Sequence, residues 1–388
     1  MRRRRAGLGI SKSRPHRPLL SVVIPVYDVE PYIAECLESL LAQSFPGFEV
    51  ILVDDGSTDG SVRIGQRYAT EDPRFRFVHQ GNAGLGAARN RGVAEARGDY
   101  LTFLDPDDLL APGAYETMMS TITRTGSDMV VGTLEREHGH HRSITRLMKQ
   151  NHAARRERIT LADMPLMLAD VFAVNKIYRR KFWDAASLEF PCGIRYEDQP
   201  TLTRAFVRAS SFDVIPELVY LWRIREDGSS ITQHRHELTD LLDRVESKRI
   251  STDLVEQTHQ PKLHDVWFRD ILPVDMWEYF RAAVSSDDVY WAALRSAVSR
   301  FWSDDTMPFE HTHTPVQQRL MGWLVEHDRR EDLERLISFV DDNRGDFQLR
   351  VEDDIVVAHV PREGELAASG AAPRSVFTVH EHERPWTL

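Results

Sequence analysis

The sequence predicts an α/β fold with a mostly parallel central sheet, followed by a helical region and a small terminal β unit. Three observations carry this. Strand-like runs alternate with helix-like stretches over residues 19–104, the pattern of a parallel sheet. The run at 100–104 (YLTFL) ends on Asp105, Pro106, Asp107 and Asp108, so three carboxylates crowd the carboxyl end of a central strand, the edge where open α/β sheets bind ligands. From about His236 the apolar residues take a helical period instead.

Taken in order, residues 19–26 (LLSVVIPV) read as the first buried strand, a β-branched run that Pro25 ends. Pro31 opens the next helix, where a missing N–H costs nothing, and Ile33, Leu37, Leu40 and Leu41 form its buried stripe. A second strand at 48–53 runs into Asp54, Asp55, Gly56, Ser57, Thr58, Asp59 and Gly60, then a helix to about Ala69. A strand at 75–79, a Gly-rich turn at 81–86 and a helix at 87–97 lead to the strand at 100–104. Pro106 cannot donate to a ladder, so the sheet stops there. Carboxylates this close repel unless a cation sits among them, and Mg²⁺ typically takes one or two carboxylates plus substrate phosphates. The plainer reading has Asp107 or Asp108 capping a helix that starts at Leu109.

A helix at 112–124 and a strand at 128–132 follow. Residues 135–158 are polar and rich in charge and His, which predicts a mobile loop. His138, His140 and His141 could bind a metal there, a solvated loop being the plainer reading. The helix at 196–209 buries Leu202, Ala205, Phe206 and Ala209. Its phase turns Asp198 toward the buried side and sets Glu197 with Thr201, Arg204 and Arg208 on the polar side. Residues 212–224 read as a strand pair turning at Pro216 and Glu217. Helices follow at 236–256, 263–282, 287–301 and 316–344, short strands at 347–359 and 375–379, and a linker at 363–374. The expected division is a basic tail at 1–18, an α/β domain at 19–234, a helical region at 235–345 and a β-rich segment at 346–388.

Composition narrows the function classes. With 41% hydrophobic residues and no run near the ~18 apolar residues of a membrane span, the chain reads as soluble and globular. Its two cysteines, Cys36 and Cys192, suit a reducing compartment, and hence the cytoplasm, better than a disulfide framework. The net charge is −11 although residues 1–18 carry Arg2, Arg3, Arg4, Arg5, Lys12, Arg14 and Arg17 and no acid. So acidic a body excludes nucleic acid as the natural partner. The leader lacks an apolar h-region and is no secretory signal; it reads as a disordered tail, or as one with weak attraction to an anionic membrane surface. A dinucleotide fingerprint would follow the first strand, where Tyr27 to Pro31 hold no glycine, and there is no Gly-rich loop ending in Gly-Lys-Ser/Thr.

Four blocks in register do carry a resemblance. They are Ser21 to Tyr27 (SVVIPVY), Val53 to Asp59 (VDDGSTD), Asn82 to Gly92 (NAGLGAARNRG) and Phe103 to Asp108 (FLDPDD). This order and spacing is similar to glycosyltransferase family 2, over Ser21 to about Arg225. The resemblance implies a GT-A fold, a Rossmann-like nucleotide-diphospho-sugar transferase domain. It implies transfer of a sugar from a nucleotide diphosphate, usually UDP, with inversion and with a divalent metal such as Mg or Mn.

It also implies site residues, each with a plainer reading beside it. Pro25 and Tyr27 would border the base, with Tyr27 offering a stacking face or else core packing. Asp55, with Asp54 as runner-up, would accept from the base unless either caps the next helix, and Asp59 could equally be a cap. Asn82 fits a ribose or base contact, or a turn. Arg89 suits the phosphates, or is a solvated helix arginine. Asp105 would face the ribose or donor sugar, and Asp107 would hold the metal. The family's catalytic base is the Asp of an E-D pair, here Glu197 and Asp198, which otherwise cap a helix. Asn175 and Lys176 match a segment common in this branch. Many relatives place a metal-ligating His near Arg223; an arginine cannot ligate, so Arg223 would contact phosphate, with Ser229 and Ser230 reaching phosphate or metal-bound water, or serving as loop polarity. The E-D block, the following R-E-D-G-S-S-I-T loop and the helical tail are most similar to enzymes that decorate teichoic-acid-type polyol phosphate chains. The expected acceptor is therefore a hydroxyl of a cell-envelope polymer or a lipid-linked chain, met at the inner face of the membrane, with self-association through the C-terminal region open. The alternatives are a nucleotidyltransferase, which lacks its Gly-rich loop here, and a non-catalytic module, against which Asp107 and Asp198 both stand.

Overall fold

β1 (Leu20–Val26) forms the middle of the first half of the sheet: all seven residues are buried and both edges are paired. β2 (Phe48–Asp54) and then β3 (Phe75–His79) lie parallel on one side, and β4 (Tyr100–Phe103) lies parallel on the other. α1 (Ile33–Leu41), α2 (Ser61–Glu71) and α3 (Leu85–Glu95) connect them. This computed structural model describes residues 17–139, 141–225, 235–303, 306–343, 348–353, 355–359, 372–380 and 383. Residues 1–16 of the basic leader, together with His140, Ser229, Ser230 and most of the 363–374 linker, lie outside them.

Pro25 ends a ladder rather than a strand. β1 continues through it, paired with Val53 of β2. On the other edge Tyr100 N–H donates to Leu19 and Leu104 N–H to Val23, so the alternation asks Pro25 for the next N–H. It has none, and the β1–β4 ladder stops there. The carboxyl end of β1 is thereby left open beside the acidic turn.

The second half comprises β5 (Leu109–Leu110), α4 (Ala114–Thr125), β6 (Met129–His138), β7 (His141–Ser143), α5 (Arg146–Asn151), β8 (Arg156–Ile159), β9 (Lys176–Arg179), α6 (Arg180–Ala185), α7 (Asp198–Arg208) and β10 (Phe212–Arg223). The full order is β3-β2-β1-β4-β9-β6-β10-β5. β9 runs antiparallel between β4 and β6, and β10 runs parallel to β6. The fold is thus α/β with a mixed but largely parallel sheet. Three expectations are corrected here. Residues 212–224 are one strand, because a register shift between Val214 and Leu218 absorbs Pro216 as a bulge. Residues 135–158 are no loop but strand, helix and strand, with Met148, Asn151 and His152 buried. The helix expected from Leu109 is instead the two-residue β5, paired with β10.

The C-terminal region is helical as expected: α8 (Leu238–Glu256), α9 (Pro261–Val266), α10 (Met276–Ser285), α11 (Asp288–Phe301), α12 (Val316–Glu326) and α13 (Arg330–Asp342). The long helix expected at 316–344 breaks at Asp328, whose φ is +58° and whose carboxylate accepts from Trp291 Nε1 at 2.8 Å. β11 (Gln348–Glu352) and β12 (Ile355–His359) form a hairpin, while the strand expected at 375–379 is the helical turn α14 (Arg374–Phe377), followed by a β-bridge from Thr378 to Val357 of the hairpin. Among the described residues no helix is long and apolar enough to cross a membrane.

Candidate active site

Gly84 starts α3 with φ +89°, a conformation side chains avoid. Two residues on, a Cβ at Gly86 would stand 2.3 Å from the Pro191 carbonyl oxygen. Only a glycine lets the 190–198 segment pack so closely on the first turn of α3. That approach brings Glu197 and Asp198 over Arg89, in the next turn.

Arg89 is 2% exposed and is the hub of the site. Nη1 donates to Asp198 Oδ1 at 2.5 Å and also to Glu197 Oε1, and Nη2 donates to Asp105 Oδ1 at 2.8 Å. The guanidinium lies over Phe190, 5.2 Å from its ring centroid. Burial works against its charge, but Asp198, Asp105 and Glu197 outweigh burial and hold it protonated. A lone buried cation would cost several kcal/mol, which the three acids offset. The structure therefore seats Arg89 beneath the site, organising its acids, where a phosphate contact or a solvated position was expected.

The helical-phase expectation for the acid pair is reversed. α7 starts at Asp198, but Glu197 before it has helical φ −61° and ψ −20°, and the face it shares with Thr201, 1% exposed, is the one that turns inward. The Glu197 side chain is 6% exposed and that of Asp198 is 23% exposed. Asp198 is the acid that meets the cleft; its Oδ2 accepts from the Ala173 N–H at 3.0 Å. Burial raises the pKa of both acids, partly offset by Arg89; Asp198 adds to the rise at Glu197, and Asp105 to the rise at both. A helix N-terminus favours the charged form of Asp198 and so weakens it as a base; burial pushes the other way.

Three acids follow β4 with three distinct settings. Asp105 holds Arg89, and its N–H donates to the Tyr220 hydroxyl oxygen at 3.2 Å. Asp108 is buried and accepts from the Tyr220 hydroxyl and the Arg223 N–H, both at 2.7 Å; it stitches the turn to β10 and caps nothing. Asp107, with an 18% exposed side chain, pairs with Arg225 at 2.8 Å. Burial raises its pKa, Asp105 adds to that, and Arg225 opposes it.

The expected nucleotide residues lie along the same edge. Tyr27, just past β1, is 49% exposed and presents a free aromatic face, while Pro25 is buried beneath it. Asp55 accepts from Gln80 Nε2 at 2.8 Å, Ala83 N–H at 2.9 Å and Gly84 N–H at 2.8 Å, so it straps the Gly-rich turn. Asp54 is buried on Ser57 N–H and His79. Asp59 accepts from Ser61 N–H at the start of α2 and from Glu30 N–H, as a cap would. Asn82 is exposed in the turn. Arg223 is paired with Glu35 at 2.7 Å and lies over Tyr32, the ring that Arg225 also covers while pairing with Asp107.

Asp107 is a crowded, partly buried carboxylate of the kind a hard cation takes, and Arg225 supplies the positive charge that such an ion would replace. Among the described residues no three His, Cys, Asp or Glu form a cage, His138 and His141 included. Mg²⁺ typically takes one or two carboxylates and completes its shell with substrate phosphates.

Tyr220 and Arg225 were missed from sequence, as were the partners of Asp108 and Lys176. Tyr220 and Arg225 join Asp108 and Asp107 to the end of β10; the R-x-R at that strand end was the available signal. Lys176 is buried on Asp170 at 2.6 Å and on the Phe172 carbonyl at 2.6 Å, and His152 completes the cluster on Asp170 at 2.9 Å. This cluster braces the loop that carries Ala173.

Residues 21–185 match the family model for glycosyl transferase family 2. The glycosyltransferase GlyG of Streptococcus pneumoniae is 31% identical over 249 residues, 60% of this chain and 80% of that protein. The uncharacterized glycosyltransferase EpsJ of Bacillus subtilis is 33% identical over 225 residues, 56% of this chain, and the match spans only 63% of EpsJ. Among solved structures, S. aureus TarS 1–349 in complex with UDP-GlcNAc superposes with a TM-score of 0.59 over 88% of this chain and 96% of that one, at 18% identity, a likeness of fold. On the family model and the relative covered over most of its length, the chain belongs to glycosyltransferase family 2.

Proposed function

We propose that this chain is an inverting glycosyltransferase. It moves a sugar from a UDP-sugar to a hydroxyl of a cell-envelope polymer, a teichoic-acid-like polyol phosphate or another polysaccharide or lipid-linked chain. The observation that carries the reading is one cluster: Asp198, Glu197 and Asp105 meet on Arg89, at the sheet edge that also presents Asp107 and Tyr27. Family membership and the UDP-GlcNAc bound by the similarly folded TarS support the donor class.

Asp198 takes the proton from the acceptor hydroxyl as its oxygen attacks the anomeric carbon. The bond from that carbon to the diphosphate breaks, and its electron pair leaves with UDP. Such a base contributes about 10²–10⁴ in rate. Asp107, with Asp105 beside it, would hold a divalent cation, Mg or Mn. That ion, when bound, neutralises the charge growing on the leaving diphosphate. Arg89 keeps Asp105 and Asp198 at a fixed separation, so the nucleotide side and the acceptor side keep one geometry. Tyr27 stacks the base. Asn82 and the Gly-rich turn border the ribose, with Asp55 fixing that turn. Arg223, Ser229 and Ser230 are assigned to the diphosphate. The domain division at residues 234 and 345, action at the cytoplasmic face of a membrane and self-association through the C-terminal region belong to the same proposal.

A donor panel tests it: UDP-, GDP- and dTDP-sugars with and without Mg²⁺ or Mn²⁺, read by thermal shift and by slow hydrolysis. UDP-sugars should stabilise the chain only with metal and be hydrolysed slowly. Stabilisation by NAD(P) alone, or by no sugar nucleotide, rejects the reading.

A further inference from the structure

Tyr196 stands directly before Glu197 and Asp198, and its φ is +62°, a left-handed conformation that bulky residues rarely adopt. Such a residue persists only where its surroundings fix it. Here those surroundings come from the helical region. Buried Ser247 of α8 donates to the Tyr196 carbonyl at 2.9 Å. The Tyr196 hydroxyl donates to fully buried Asp240, also of α8, at 3.0 Å. Tyr279 of α10 donates to the same carboxylate at 2.8 Å. Arg244 lies over the Tyr196 ring at 4.4 Å and reaches Gln199 Oε1 at 3.2 Å. Asp240, Arg244 and Ser247 sit four and three residues apart, on one face of α8. Neighbouring Arg195 donates to Asp240 at 3.0 Å and to Glu237 at 3.2 Å.

The left-handed turn at Tyr196 sets the direction in which the chain enters α7. With an ordinary φ there, Glu197 and Asp198 would leave in another direction and lose Arg89. We propose that α8 and Tyr279 form a clamp that holds Tyr196 in this turn and so positions Asp198, which makes Asp240 and Ser247 positioning residues for transfer. The proposal rests on the reading of Asp198 as the base. It gives the helical region a part in the chemistry, through backbone geometry and without contact with the reacting atoms.

The test is kinetics on the full chain for Ser247→Ala, Tyr196→Phe and Asp240→Asn, with Asp198→Asn in the same series. The reaction is hydrolysis of the UDP-sugar that the donor panel selects, with Mn²⁺, below each variant's thermal transition. Each clamp variant should lose about 10- to 100-fold in kcat, as misplaced catalytic groups do, while the donor KM stays within about twofold. The Ser247→Ala, Tyr196→Phe double variant should lose less than the product of the single losses, because both act through Tyr196. Lowered stability with unchanged kcat, or single losses that simply multiply, would overturn the clamp. Asp198→Asn that keeps turnover overturns the reading of the base itself. Inactive Asp198→Asn beside fully active Ser247→Ala and Tyr196→Phe overturns the clamp alone. Should Asp240→Asn fail to fold, Ser247→Ala and Tyr196→Phe decide the matter.

Discussion

Removing Arg89 would leave Asp105, Glu197 and Asp198 facing one another in a largely buried site. Breaking a buried ion cluster from one side costs about 3–5 kcal/mol, so Arg89→Ala should lower stability by that order in denaturant unfolding. Arg89→Lys keeps the charge but loses the planar fork that reaches three acids; it should fold and yet lose most turnover, and a fully active lysine variant would contradict the hub. Asp198 makes a pH prediction. Read as the base, Asp198 works deprotonated, and burial raises its pKa above the ordinary carboxylate value of 3.8. Turnover should therefore rise with pH along an acid limb whose midpoint lies above that value. A limb at or below it would exclude Asp198 as the base. At this scale the sequence carried identities better than settings. The E-D pair stood out in the sequence, but the helical-phase argument for it failed, because the face Glu197 shares with Thr201 is the buried one. Arg89 looked like a phosphate ligand because nothing local announces partners more than a hundred residues away.

Elements meet at this site through close approaches that a few residues permit. Gly86→Ala would drive a methyl group into the Pro191 carbonyl. The backbone must shift, at about 1–3 kcal/mol, and the thermal transition should fall while the acid pair moves off Arg89. An unchanged melting temperature and turnover would mean the segment at 190–198 is not held against α3 as described. The cluster behind Ala173 makes a second prediction. Burial disfavours charge on Asp170, yet Lys176 and His152 outweigh it and hold the acid down to about 2. A depressed carboxylate stabilises the fold above its unfolded value of 3.8, and that contribution is lost as pH falls toward 2. Asp170→Asn should cost about 3–5 kcal/mol at neutral pH and flatten the acid side of the stability curve; a parallel curve would remove Asp170 from the account. The strands and helices up to residue 104 were readable because each follows one period. Residues 135–158 were not, because edge strands and a short helix with exposed charged faces read like a loop when their partner, β10, is distant in sequence.

Across the whole molecule, two regions share one site. The α/β sheet supplies a cleft edge with acids and an aromatic face, and the helical region supplies the surroundings of Tyr196. The first was legible because the residues of this edge fall in compact motifs. The second was not, since Asp240, Ser247 and Tyr279 lie in ordinary amphipathic helices whose contacts appear only on folding. If a cation joins at Asp107 through substrate phosphates, metal and nucleotide should bind together. UDP with Mn²⁺ should raise the melting temperature, and neither Mn²⁺ alone nor UDP alone should match it. The most direct measurement compares UDP affinity and sugar turnover for the natural chain and Asp198→Asn, both with Mn²⁺. The account predicts that UDP binds both within about twofold while turnover falls at least about 10²-fold in the variant. A collapse of UDP affinity, or turnover that survives the substitution, would contradict it.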